Sequence, residues 1–261
     1  MTFKRLVVKL HGPVAYVILN RPEVRNAMDE IALGETTKAF RELGKNKKIR
    51  AVVLSGAGKD FCAGADIGWM RRAADYGPAQ NKKDAHRLID MCRAVDEAPF
   101  AVVTKVHGNC FGGALGIVGS SDLVIAETSS RFRFSEVRLG LIPAVVSTFV
   151  LPKIGVSQAR RLYLTAELFT ATTAKEIGLV HYVVPKEGLD DKVREMLDQI
   201  LWNGPEAVRA AKTYIRDLEG LPRAKRIQHS MDVLAKVRGG NEAKEGLSAF
   251  LEKREPKWAK A

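Results

Sequence analysis

Four short runs rich in β-branched residues, 14–19 (VAYVIL), 49–55 (IRAVVLS), 100–106 (FAVVTKV) and 122–126 (DLVIA), recur along the chain, and each gap between them carries a helical pattern. This alternation constrains the fold more than any other feature, because strands that take turns with helices place a chain in the α/β class. Residues 5–11 read as a further strand paired with 14–19 around a Gly12-Pro13 turn. Residues 29–44 set Leu33, Thr36, Thr37, Phe40 and Leu43 on one helical face, with Asp29 placed to cap its start. Residues 84–97 align Leu88, Ile89, Cys92 and Val95, residues 112–121 and 157–166 read as two more helical segments, and 180–184 (VHYVV) as one more strand. From about residue 188 the pattern is helical, broken at Gly204-Pro205 and Leu221-Pro222. The expected organisation is an α/β core over 1–188 and a helical segment over 189–261.

Composition narrows what such a chain does. It has 261 residues, 46% of them hydrophobic, which suits one large globular domain and is too apolar for disorder. Its longest uncharged stretches, 106–121 and 139–152, are broken by glycines or prolines and fall short of the ~18 apolar residues of a spanning helix. The N-terminal apolar run is interrupted by Lys9 and lacks a small-residue cleavage site, so no signal peptide is expected. Cys62, Cys92 and Cys110 are odd in number and lack CxxC spacing, and the five histidines are scattered, a pattern that argues against a disulfide framework or a metal centre. A cytoplasmic, metal-free protein is the expectation. The formal net charge is +12, with the surplus at the ends: +6 over 1–60, +1 over 61–200 and +5 over 201–261. Such a balance suits nucleic acid or a phosphorylated cofactor as partner, or is a solvated basic surface. No RRM, KH or zinc-finger signature supports nucleic acid, and the run 45–50 (KNKKIR) reads as a solvated helix end.

Chemistry has three places to sit. FCAGAD at 61–66 follows a strand, and its small residues let a ligand approach the backbone; an ordinary tight turn has the same composition. HGNCFGGALG at 107–116 joins a strand to a helix start, where backbone N–H groups point outward as an anion or oxyanion site. Close packing of the helix on the sheet explains the same glycines. The segment is neither GxGxxG nor a P-loop, so nucleotide binding of those types is not supported. In FSEVRLGLIP at 134–143, Glu136 borders the long uncharged stretch. Desolvation there would raise its pKa and suit acid/base work, whereas pairing with Arg133 or Arg138 would make it a surface residue.

In order and spacing the segments LNRPEVRNAMD (19–29), FCAGADI (61–67), HGNCFGGALG (107–116), FSEVRLGLIP (134–143) and AFLEKREPKW (249–258) resemble the crotonase, or enoyl-CoA hydratase/isomerase, superfamily. The resemblance covers nearly the whole chain. It implies a spiral of ββα units with a C-terminal helical trimerisation segment, and assembly as trimers or dimers of trimers. It implies an acyl-CoA substrate and no separate cofactor. No membrane partner is expected, and nucleic acid is not the expected partner. By the same match the backbone N–H groups of Ala65 and Gly113 form the oxyanion hole and Glu136 is the catalytic carboxylate. Arg25, Ala63, Ala65, Asp66, Ile67 and Lys253 are the matching coenzyme A positions, with Phe250 packing near Lys253.

Two departures bear on the reaction. Well-known hydratases carry a second glutamate three residues after the oxyanion glycine, where this chain has Gly116. The usual GAGG run after Ile142-Pro143 is replaced by Ala144-Val145-Val146-Ser147. This combination resembles the bacterial 3-methylglutaconyl-CoA hydratases of leucine breakdown, and Gly116 is expected to free volume and remove charge for a branched, acidic acyl chain. A hydratase using Glu136 alone is the leading expectation. An enoyl-CoA isomerase, which needs one base, is the alternative, and a basic RNA-binding protein on this fold is a remote one. His107, Asn109 and Ser147 flank the site in structural roles, and Asp122 is expected to begin a strand.

Overall fold

The computed structural model describes residues 2–260. β1 (Leu6–His11) and β2 (Val14–Leu19) form an antiparallel hairpin. α1 (Glu30–Lys45) crosses to β3 (Ala51–Gly56), and α2 (Ile67–Ala73) and α3 (Pro78–Asp96) cross to β4 (Ala101–Val106). β5 (Asn109–Phe111) and α4 (Ala114–Ser120) lead to β6 (Leu123–Glu127). β7 (Arg131–Arg133), α5 (Ala144–Thr165), β8 (Phe169–Thr170) and α6 (Ala171–Glu176) lead on to β9 (Tyr182–Val184). α7 (Leu189–Trp202), α8 (Pro205–Gly220), α9 (Arg223–Arg238) and α10 (Asn241–Leu251) follow.

The main sheet has the order β1-β2-β3-β4-β6-β9 and is parallel from β2 onward. Its strands read as nearly continuous apolar runs because both faces are buried. Val52, Leu54, Val102 and Val124 face a core shared with α1, α3, α4 and α5. Ala51, Val53, Val103 and Ile125 face Leu189, Val193, Met196 and Leu197 of α7, so the first helix beyond residue 188 roofs the second face. A smaller sheet, β5-β7-β8, comes from strands of two or three residues, too short to show in the sequence pattern. β4–β5–α4 and β6–β7–α5 are successive turns of a ββα spiral, and Cys62 joins the small sheet through a bridge to Cys110.

α8 is fastened to the ends where the parallel strands begin. Arg209 donates to the carbonyls of Lys47 (2.7 Å) and Ile49 (3.1 Å), just ahead of β3. Lys212 reaches the Phe100 carbonyl (3.2 Å) and the Asp122 carboxylate (2.7 Å), ahead of β4 and β6. α8 and α9 bury no residue fully and α10 buries only Ala249. Ile227, Met231, Leu234, Leu247 and Phe250 of α9 and α10 stay exposed.

Several expectations need correction. α5 starts at Ala144 and breaks at Gly155 (φ 71°), so the helix expected at 157–166 is its second half. α2 and the first turns of α3 have too few buried apolar residues to leave a stripe. Arg50, in a run read as solvated, is buried and donates to the carbonyls of Leu201 (2.6 Å), Asn203 (2.5 Å) and Trp258 (3.2 Å). Asp29 caps α1 as expected, accepting from the Ala32 N–H at 2.8 Å.

Candidate active site

Beyond the C-terminal ends of β3 and β4, two chain segments lie side by side. The Cys62 N–H donates to the Asn109 carbonyl (3.0 Å), and the Phe111 N–H donates to the Cys62 carbonyl (3.1 Å). Ala65 and Gly113 each stand three residues past this Cys62–Cys110 bridge, in matching positions. On its other side the first segment pairs with Met28, through Met28 N–H to Gly64 carbonyl (2.8 Å) and Asp66 N–H to Met28 carbonyl (2.9 Å). Because Met28 pairs with the groups on either side of Ala65, the Ala65 N–H is turned away from Met28. Gly113 opens α4, where the first N–H groups have no helical acceptor. Among the described residues neither N–H has an acceptor in the protein. Two unspent donors on adjacent segments are what an oxyanion hole requires.

Glu136 begins a 3-10 turn, Glu136–Leu139, immediately after β7 and Ser135. Its Oε1 lies 3.9 Å from the point a Cβ on Gly112 would occupy, and Ser135 Oγ lies 3.4 Å from the same point. Gly112 has φ +53° and no side chain, so this volume beside Gly113 stays open to both groups. Glu136 Oε2 is buried and has no hydrogen-bond partner. Burial pushes its pKa above the usual carboxylate value, against a smaller opposing effect from its own and the Ser135 backbone N–H groups. Among the described residues no ion pair joins it to Arg133 or Arg138, so the surface-pair reading does not hold. Tyr163 is close enough that the Glu136 charge helps raise its pKa, behind the larger effect of burial.

Gly116 corrects the expectation of freed volume. A Cβ there would lie 2.7 Å from Cys92 Sγ and 3.1 Å from Val146 Cγ1. The place of a second glutamate is filled by α3 and by the replaced run after Pro143. Cys92 is no substitute base, since burial pushes its thiol up to about 12.

Arg25 and Ala63 are joined directly, the Ala63 N–H donating to the Arg25 carbonyl at 2.9 Å. Asp66 is committed to structure: it caps α2 through the Trp69 N–H (3.0 Å) and pairs with Arg21 (3.0 Å). Burial opposes its ionisation, but the Trp69 N–H and Arg21 outweigh it and lower the pKa. Ile67 is 66% exposed at the start of α2. Arg25, Ala63, Ala65, Asp66, Ile67, Gly113 and Glu136 thus gather around one end of the sheet. Lys253 does not join them: it follows α10, in the helical layer fastened through α8 to the opposite ends of the strands.

Asn26, absent from the expected site, is its main brace. Buried at φ 56°, it accepts from the Arg21 N–H (2.9 Å) and donates to the carbonyls of Ala57 (2.7 Å) and Asp60 (2.8 Å). Asp60 in turn accepts from the Asn109 N–H (2.8 Å), tying the two segments together. The Asn-after-Arg spelling in RPEVRN is the only sequence signal for it. His107 contacts the Gly58 carbonyl (3.0 Å), Ser147 bonds to the Pro143 carbonyl, and Asp122 pairs with Lys212.

The fold, together with this arrangement, is that of the crotonase class. Residues 10–261 match the enoyl-CoA hydratase/isomerase family, and the chain belongs to it. A putative enoyl-CoA hydratase of Thermus thermophilus is 32% identical over 95% of this chain and 98% of its own. A crotonyl-CoA hydratase of Syntrophomonas wolfei is 31% identical over 97% of each. Among solved structures, an enoyl-CoA hydratase from Shewanella pealeana superposes with a TM-score of 0.94 at 36% identity, covering 98% of this chain and 96% of that one. Pseudomonas aeruginosa AtuE does so with a TM-score of 0.95 at 33% identity, covering 98% and 100%. Among the described residues no helix is long and apolar enough to cross a membrane.

Proposed function

We propose that this chain is an enoyl-CoA hydratase that runs on a single carboxylate. The observation that carries the reading is the buried Glu136 Oε2, which has no hydrogen-bond partner, on the segment beside the unspent Ala65 and Gly113 N–H groups. The two N–H groups hold the thioester oxygen, so electron density from the double bond flows onto it as water adds. Glu136 takes a proton from the water as its oxygen bonds to C3, then returns that proton to C2. The result is syn addition of water across the 2,3 bond. The raised Glu136 pKa suits both halves of this shuttle.

Coenzyme A enters as part of the substrate, and this scheme calls for no separate cofactor. Arg25, Ala63 and Ile67 line its approach beside the site. Lys253, at the far end of its own protomer, serves a neighbouring subunit's coenzyme phosphates. The exposed apolar residues of α9 and α10 support assembly as a trimer, or a dimer of trimers. A branched, acidic acyl group such as 3-methylglutaconyl remains the favoured substrate, on the SEVRLGLIPAVVS segment.

Mass spectrometry of 2-enoyl-CoA thioesters, 3-methylglutaconyl-CoA among them, incubated with the protein in heavy water tests the reading. Gain of one water with deuterium at C2 is expected. Glu136→Gln should lower kcat by ~10²–10⁴-fold with coenzyme A binding intact; a near-wild-type rate in that variant would sink the assignment. Double-bond migration without water gain would instead favour the isomerase, for which the single carboxylate at this site is also sufficient.

A further inference from the structure

A water that attacks C3 has to be held by more than the base that deprotonates it. One contact leaves it free to swing about the carboxylate, and the reacting geometry is lost. In a two-glutamate site the second carboxylate supplies the other contact. Here that place is closed by Cys92 Sγ and Val146 Cγ1 packed against Gly116, so the second contact comes from elsewhere.

Three hydroxyls lie near Glu136. Ser147 and Tyr163 are bonded to each other (3.2 Å), and Ser147 is further bound to the Pro143 carbonyl. Ser135 differs from both. It occupies the position before the 3-10 turn where a serine side chain ordinarily accepts a backbone N–H, yet it makes no capping bond. Its hydroxyl has no protein partner among the described residues. Ser135 Oγ and Glu136 Oε1 both flank the space over Gly112, 3.4 Å and 3.9 Å from the point its missing Cβ would occupy, and Gly64 Cα lies 3.9 Å from that point. That volume adjoins Gly113, so anything held in it lies next to the thioester carbonyl in the proposed hole.

Resting on the hydratase reading above, we propose that Ser135 is a catalytic residue that holds the attacking water together with Glu136. The water gives one hydrogen to the Glu136 carboxylate and directs the other to Ser135 Oγ, which leaves a lone pair for C3. As the C3–O bond forms, the first proton passes to Glu136 and the double-bond electrons move onto the thioester oxygen. The proton on Glu136 then goes to C2, the enolate collapses, and one water has been added. Ser135 exchanges no proton in this sequence and serves only the step that uses water.

That restriction separates a water-holding role from a structural one. Proton exchange at C2 of a saturated acyl-CoA needs Glu136 and the two backbone donors but no attacking water. The experiment compares wild type and Ser135→Ala in two assays. One is hydration of the 2-enoyl-CoA turned over fastest in a panel from crotonyl-CoA to 3-methylglutaconyl-CoA. The other is C2 deuterium uptake by the saturated counterpart in heavy water. The expected result is a kcat for hydration about tenfold lower, the scale of one lost hydrogen bond, with KM and the exchange rate unchanged. Unchanged hydration would overturn the proposal, and so would a parallel fall in both rates, which would mark Ser135 as structural. A wild-type protein that neither hydrates nor exchanges would refute the hydratase reading, and this proposal with it. Glu136→Gln serves as control and should lose both activities.

Discussion

Gly116→Ala tests the packing that closes the second carboxylate position. In most exposed or loosely packed helices this change is stabilising, since alanine is favoured over glycine by ~1 kcal/mol. Here the new methyl would lie 2.7 Å from Cys92 Sγ and 3.1 Å from Val146 Cγ1. The first distance is about 1 Å inside ordinary contact. Both neighbours are fully or almost fully buried, so neither moves aside without disturbing the core. Overpacking of this kind costs ~1–3 kcal/mol, which outweighs the helical gain and leaves a net loss of about 1 kcal/mol. For a domain of this size that is a fall in Tm of about 2–4 °C, read by calorimetry at fixed protomer concentration because assembly shifts the midpoint. In a Cys92→Ala background the obstructing sulfur is gone, and the same change should turn stabilising. A reversal of sign between the two backgrounds is therefore the expected signature. If Gly116→Ala raises Tm in the otherwise wild-type protein, the close approach is not real. Gly116→Glu follows the same logic at larger scale: it should destabilise the protein and add no activity.

Three further outcomes follow from the cited groups. Burial raises the Glu136 pKa, so the native state holds that proton more tightly than the unfolded chain, and stability falls as pH rises from the carboxylate range through the native value. Glu136→Gln should therefore be more stable than wild type at pH 7 and lose this advantage below about pH 4, while wild-type kcat climbs through a pKa above 4.5; equal pH–stability curves would contradict this. Lys153 donates to the carbonyls of Val118 (3.2 Å) and Ser121 (2.7 Å) at the end of α4, and burial lowers its pKa from 10.5 to about 8. The unfolded chain thus binds the extra proton between those values, stability rises with pH across that window by at most ~3 kcal/mol, and denaturant titrations of Lys153→Met should lack the rise. Asn26→Ala removes three hydrogen bonds and leaves a non-glycine residue at positive φ, so a loss of about 2–4 kcal/mol is expected in chemical unfolding; a loss under 1 kcal/mol would mean Asn26 is no brace.

What could be read from the residues alone follows how each feature is encoded. The main sheet was legible because a strand buried on both faces has to be apolar at nearly every position, as VAYVIL and AVVTKV are. The small sheet was not, since β5, β7 and β8 offer too few residues for any period to show. Glu136 stood out through the uncharged stretch beside it, yet its isolation from Arg133 and Arg138 depends on how the turn after β7 aims it. The N–H groups of Ala65 and Gly113, the donors in the proposed reading, belong to the backbone and leave no side-chain signature. They were placed by the order of motifs, and their alignment depends on a bridge between segments nearly fifty residues apart. The site's most distinctive feature lay furthest from view. Gly116 alone reads as a deletion that leaves room, and only the meeting of α3, α4 and α5 shows Cys92 and Val146 occupying that room. The missing glutamate is therefore one part of a repacked wall. Restoring a second carboxylate requires removing Cys92 and Val146 along with the glycine, so a change at Gly116 alone tests packing and adds no second carboxylate to the proposed site.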